Sequence, residues 1–278
     1  YQPSRGLGDV YKRQDYVMHV ASPVALEEPK DENDLIVPAR EGTLRVIKAA
    51  NEEGVKKIVL TSSVAAIIYG HEKDSFNEED WTDTDAEGCS AYNKSKTYAE
   101  KAAWDFINSD ECNMELSVIN PSLVLGPVLE SDFGTSVELV KRFLNGGFPL
   151  APNISFGIVD VRDVAQLHLL ALESPQASGN RFIASSETLA IPLISEFLRK
   201  KIPEYQKRLP KGTAPDFLIK LLGFFSPLMK TVANQLGKTK ELDNSKAKNI
   251  LGWQPRSGEE AVIASAKSLI EFDIVKSP

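Results

Sequence analysis

Hydrophobic positions along the chain follow two alternating periods. Tyr16-Val17-Met18-His19-Val20-Ala21, Ile58-Val59-Leu60 and Leu116-Ser117-Val118-Ile119 are short, mostly apolar runs that close in small residues or proline. Such runs predict strands of a parallel sheet covered on both faces. Between them, Asp31 to Glu53 places Leu35, Ala39, Leu44, Ile47 and Ala50 near helical spacing and ends at Gly54, which suits a C-cap. Ala91 to Ile107 predicts a second helix, so the order is strand, helix, strand, helix, strand. That alternation marks βαβ units and an open α/β sheet.

Further along, helices are predicted over Ser136 to Leu144 and Asp163 to Leu172, and a strand over Arg181 to Ala184. Beyond residue 185 the chain is punctuated by Pro192, Pro203, Pro210, Pro215, Pro227 and Pro255, which suits short helices laid over the sheet. Ser257-Gly258-Glu259-Glu260 is a capping box opening a last helix, Ala261 to Phe272. The greasiest stretch, Pro215 to Leu236, is broken by Asp216, Lys220, Pro227 and Lys230. It falls short of a membrane span and predicts a buried helix or a lid. Tyr1 to Gln14 has neither period and reads as a leftover of cloning or sequence assembly, outside the fold.

Composition narrows the classes of function. The 278 residues carry a net charge of -7 with 42% hydrophobic residues, the profile of a folded domain with an acidic surface. A nucleic-acid partner is disfavoured, because that affinity rests on Lys and Arg neutralising phosphates. Cys89 and Cys112 are the only cysteines and form no metal-binding spacing, so free thiols, a cytoplasmic setting and no metal are expected. No secretory signal is visible where Arg5, Asp9, Lys12 and Arg13 stand.

The chemistry is concentrated in Tyr92-Asn93-Lys94-Ser95-Lys96. A phenol and an ammonium four residues apart share one helix face, and a nearby cation favours the phenolate. The pair is a candidate general acid. Spacing alone is weak evidence, since Tyr69 and Lys73 have the same separation in a polar loop. Ser63 strengthens the case, because it ends a strand, and ligands of open α/β sheets bind outside the carboxyl ends of strands. The plainer readings are a solvated helix face and a self-satisfied turn.

Four ordered motifs extend this picture: Val59-Leu60-Thr61-Ser62-Ser63, Tyr92-x-x-x-Lys96, Asn120-Pro121-Ser122-Leu123-Val124-Leu125-Gly126-Pro127 and Val159-Asp160-Val161-Arg162-Asp163-Val164-Ala165. With the tail Asp243-Asn244-Ser245-Lys246-Ala247 and Leu251-Gly252-Trp253, they resemble the extended short-chain dehydrogenase/reductase family from Asp15 to about Phe272. Within it the likeness is to the dihydroflavonol-reductase-like and methylglyoxal-reductase-like branch. The resemblance implies an α/β fold: an N-terminally incomplete, Rossmann-type, doubly wound parallel sheet over 15–185, with a smaller, mainly helical substrate lobe over 186–278.

It also implies roles. Ser63 would orient a carbonyl, Tyr92 would protonate it, and Lys96 would lower the Tyr92 pKa and hold the nicotinamide ribose. Val20, Ala21 and Ser22 would line the adenosine-to-ribose path. Thr61 and Ser62 would lie near the nicotinamide ribose, Pro121 near the ring and Ser136 near the diphosphate. The implied cofactor is NADP, with NAD possible, and the implied partner is a small carbonyl substrate, bound by a monomer or homodimer. The chain departs from the family in lacking a T-G-x-x-G-x-x-G turn; Gly6 and Gly8 are the nearest pair and follow no predicted strand. The leading expectation is a carbonyl reductase. A sugar-nucleotide epimerase or dehydratase is second, and an inactive remnant or cofactor sensor third.

Overall fold

The computed structural model describes residues 14–24, 28–224 and 232–278. Tyr1 to Arg13 therefore lie outside it, as does part of the greasy stretch. Four parallel strands make the main sheet: β1 (Tyr16–His19), β2 (Lys57–Thr61), β4 (Glu115–Pro121) and β7 (Asn180–Ala184), in the order β1-β2-β4-β7. Their registers pair Met18 with Val59, Leu60 with Val118, and Ile119 with Phe182. β1 is the edge strand, and its Tyr16 and Met18 are exposed.

Successive side chains of a strand point to opposite faces, and here both faces are covered. On one face α1 (Asn33–Glu52) and α2 (Ala91–Ile107) bury Ile47, Ala50 and Ala103 against Ile58, Leu60, Leu116 and Val118. On the other, α4 (Val161–Glu173) buries Val164, Leu167 and Ala171 against Val59, Ile119 and Phe182. The sheet is doubly wound, as the pattern predicts. Gly54 ends α1 one residue past its cap with φ of 74°, a left-handed backbone that glycine adopts at little cost. Ser90 caps α2 by accepting from the Asn93 amide. The predicted capping box at Ser257 and Glu260 opens α8 (Gly258–Glu271).

A second core belongs to the lobe, and it is drawn from two stretches of sequence. Leu125 of β5 (Leu123–Leu125), Val140, Phe143 and Leu144 of α3 (Glu138–Leu144), and Ile158 of β6 (Ser155–Asp160) join Leu189, Ile194, Leu198, Ala261, Val262 and Leu269. These last residues come from β8 (Glu187–Ala190), α5 (Ile191–Lys201) and α8. β5, β6 and β8 form a three-stranded sheet in which β6 and β8 run antiparallel. The lobe is thus more than helices after residue 185. Short α7 (Ser245–Leu251) and the two-residue strands β3 (Ser75–Phe76) and β9 (Glu241–Leu242) stitch lobe and sheet together.

The greasy stretch is only partly described, and its described helix is only partly buried. That helix, α6 (Asp216–Gly223), buries Ile219 but exposes Phe217, Leu221 and Leu222, with Phe224 exposed just beyond. The apolar residues ring the helix, so one packed side leaves the others open. Among the described residues no helix is long and apolar enough to cross a membrane, and no cluster of metal ligands occurs.

Candidate active site

Because the main sheet is parallel, β1, β2 and β4 all end on one edge, and helix α2 passes beside it. Ser63 follows β2 in extended backbone, φ -163° and ψ 155°, and its hydroxyl accepts from the Ala65 amide at 3.1 Å. Tyr92 lies in the first turn of α2, with its phenol beside the Ser63 side chain, close enough for Ser63 to act on it. Burial pushes the phenol above its ordinary value, and Ser63 pulls the other way.

Lys96 is one turn further on. It is buried, its Nζ stands 5.5 Å from the centre of the Tyr92 ring, and among the described residues it has no hydrogen-bond acceptor. Burial alone lowers its pKa from 10.5 to about 8. The ammonium thus lies beside the phenol on which it is expected to act. The ammonium sits over the ring face, and Ser63 supplies the opposing influence. An orphan ammonium facing a cleft is a cation prepared for an acceptor that a ligand would bring.

The rest of the proposed cofactor set separates into two groups. Ala21, Ser22, Thr61 and Ser62 line a small cavity with Lys96, Thr43, Leu60, Ala99 and Glu100. Val20 lies exposed at the same strand end, and Pro121 closes β4, buried. The Thr61 hydroxyl, however, is held from below. It contacts His168 Nε2 at 2.6 Å while His168 Nδ1 contacts the Val164 carbonyl at 2.8 Å. A carbonyl only accepts, so Nδ1 carries the proton and Thr61 donates to Nε2. Burial pushes His168 down and keeps it neutral. Ser136 is elsewhere, in the turn Thr135–Val137 that leads into α3 and packs with the lobe core.

The decoy pair separates as predicted. Lys73 pairs with Asp80 at 2.5 Å, on the outside of its loop. Tyr69 instead lies under Lys240, whose Nζ is 4.3 Å from its ring centre and donates to the Ile68 carbonyl at 2.8 Å. Burial, and then the neighbouring Tyr92, disfavour the Tyr69 phenolate, so this second tyrosine lies next to the site. Spacing gave no hint of it, because its cation comes from 171 residues away by the numbers of the two positions.

His19 was also missed. It ends β1, is buried with Nε2 unpartnered, and is held neutral by burial and then by the Lys96 charge. Glu100, two turns beyond Tyr92, is 1% exposed. It receives hydrogen bonds from Ser62 and Asn120 and an ion pair from Arg181.

Comparison with known proteins gives this edge a lineage. Residues 6–184 match the NAD dependent epimerase/dehydratase family. The chain belongs to that family. Its similarity to the NADPH-dependent methylglyoxal reductase of Saccharomyces cerevisiae is 33% identity over 277 residues, covering 92% of this chain and 77% of that relative. A cinnamoyl-CoA reductase of Medicago truncatula is 38% identical over 208 residues, covering 72% and 62%. The crystal structure of yeast methylglyoxal/isovaleraldehyde reductase complexed with NADPH superposes with a TM-score of 0.78 at 29% identity, covering 95% of this chain and 79% of that one. The family match ends with β7, so the motifs and the doubly wound sheet coincide with it.

Proposed function

We propose that this family member reduces a small aldehyde, ketone or α-dicarbonyl to an alcohol, with NADPH as reductant. The observation that carries the reading is the meeting of Ser63, Tyr92 and a Lys96 without a protein acceptor among the described residues on the carboxyl edge of a parallel sheet. Relatives described as NADPH-dependent reductases support it. Residues at this edge fit the nicotinamide end of such a cofactor: Lys96 lacks the acceptor that ribose hydroxyls would provide, and Ala21, Ser22 and Ser62 border the same cavity. When bound, the reduced nicotinamide supplies a hydride to the carbonyl carbon.

The chain's own residues supply the rest. Ser63, beside the phenol, donates its one hydroxyl hydrogen to the carbonyl oxygen and fixes its position. Tyr92 gives its proton to that oxygen as negative charge develops there. The resulting phenolate lies beside Ser63 and Lys96, and a closer approach of the ammonium stabilises it. Carbonyl, hydride and proton balance to an alcohol. A cytoplasmic setting fits the two free thiols, Cys89 and Cys112.

Tyr92→Phe removes the proton donor and preserves the buried ring. Turnover of methylglyoxal or isovaleraldehyde with millimolar NADPH, followed by chromatography of the alcohol, is expected to fall at least about 10²-fold while the thermal midpoint holds. A variant with near-normal kcat would refute the assignment.

A further inference from the structure

We propose that Glu100 is a positioning residue that holds Ser63 beside Tyr92. The inference rests on the reading of Ser63, Tyr92 and Lys96 as a reductase site, and it concerns a residue outside that trio.

Tyr92, Lys96 and Glu100 are spaced by four on α2, so all three side chains rise from one stripe. Glu100 uses both carboxylate oxygens. Oε2 accepts from Ser62 Oγ at 2.5 Å and from Asn120 Nδ2 at 2.8 Å. That same Nδ2 also donates to the Ser63 carbonyl at 3.2 Å, and the Ser62 amide donates to the Ile119 carbonyl at 2.8 Å. Through the Ser62 hydroxyl and the Asn120 amide, the carboxylate thus tethers the residue before Ser63 and the Ser63 carbonyl itself. Oε1 takes Arg181 Nε at 2.5 Å and Trp104 Nε1 at 3.4 Å. Arg181 in turn donates to the Glu78 and Asp80 carbonyls at 2.9 and 2.7 Å and stacks 3.8 Å from the Trp81 ring centre.

Glu100, Asn120, Arg181 and Ser62 are each at most 9% exposed. A buried ion pair is a poor way to gain stability, since desolvation offsets most of the attraction. What this one supplies is a charged acceptor with short, directional bonds. Its fixed partners are the helix that bears the phenol and the strand ends that flank the serine. Eight residues of helix measure about 12 Å from Tyr92 to Glu100. The helix therefore acts as a ruler whose far end is pinned beside Ser63. Small displacements between hydrogen-bonding catalytic groups cost large factors in rate.

Two variants test the idea at saturating NADPH and carbonyl. Ser62→Ala cuts one tether and leaves the ion pair complete, so folding is not at risk. We expect kcat to fall on the order of 3- to 10-fold with both KM values within about twofold. The Tyr92 13Cζ resonance of the cofactor-free protein, assigned through Tyr92→Phe, is expected to move, because Ser63 shifts relative to the phenol. The pair Glu100→Met with Arg181→Met replaces the ions by apolar side chains. Its thermal midpoint is expected to recover relative to Glu100→Met alone, while kcat stays at least about 10-fold below wild type.

An unchanged kcat and resonance in Ser62→Ala would overturn the proposal. So would a kcat that recovers together with the midpoint in the double variant. If the double variant does not fold, Ser62→Ala decides alone. Should Tyr92→Phe itself stay active, the reductase reading fails first, and the two failures are told apart.

Discussion

Lys96→Met gives a stability prediction that runs against ordinary expectation for an active-site residue. Methionine keeps an unbranched apolar stem and removes an ammonium that is buried without an acceptor. The folded pKa of about 8, against 10.5 in the unfolded chain, is a depression of about 2.5 units and a penalty of about 3 kcal/mol. Below about pH 8 both states hold the proton and the folded state bears the whole penalty. Between about 8 and 10.5 the unfolded chain keeps a proton that the folded protein has released, so stability rises with pH. Above that range neither state is charged and the penalty is gone.

Contact of the ammonium with the Tyr92 ring returns up to about 1 kcal/mol, so the variant is expected to be more stable by about 2 kcal/mol at pH 7. The difference narrows by about 2 kcal/mol between pH 7 and pH 9.5. Urea unfolding of both proteins at the two pH values measures it, and other titrations, including that of Lys240, cancel in the comparison. A variant less stable at pH 7, or a difference that ignores pH, would show that Lys96 has a partner in the cofactor-free protein. The same variant is expected to lose turnover, which makes Lys96 a site where function is held at a cost in stability.

Other expected outcomes follow from single features. Lys73→Ala breaks only an outward pair with Asp80 and should leave kcat/KM nearly unchanged, whereas Lys96→Ala should lower it on the order of 10²-fold or more; equal effects in the steady-state assay would sink the helix argument. Gly126 has φ of 117°, and a methyl there would stand 2.9 Å from Asp160 Oδ1. Gly126→Ala should therefore destabilise by about 2 kcal/mol or more, read as a lower thermal midpoint, and an unchanged midpoint would show that the turn relaxes freely.

Local signals in the sequence located much of this. Gly54 and the Ser257 box mark helix ends with glycine or side chains, and Tyr92 with Lys96 falls within one helix. Signals that depend on distant partners were silent. Glu100 reads as an ordinary charged helix residue until Arg181 arrives from another strand to bury it. His168 sits mid-helix among leucines, and only Thr61 reveals its task. Ser155-Phe156-Gly157-Ile158-Val159-Asp160 has a glycine where a strand should be apolar, and β6 was missed for that reason. Gly157 is needed because a side chain there would strike Leu242 at 2.5 Å. In the Pro215 to Leu236 stretch, hydrophobicity alone predicted burial, and the exposed Phe217 and Phe224 show that it does not say which side finds a partner.

The interleaved core has a consequence for how such proteins diversify. The chain leaves the main sheet after β4 to lay down β5, α3 and β6, returns through α4 and β7, and only then completes the lobe with β8, α5 and α8. No single cut separates a substrate module from a cofactor module. Exchanging specificity between relatives by grafting everything after β7 would pair one parent's β5, β6 and α3 with another's α5 and α8, across a fully packed interior. Recombinants that respect this architecture need three crossovers, one after β4 and one on each side of the α4–β7 return. Selection on substrate choice is left with the side chains facing the cleft, one position at a time.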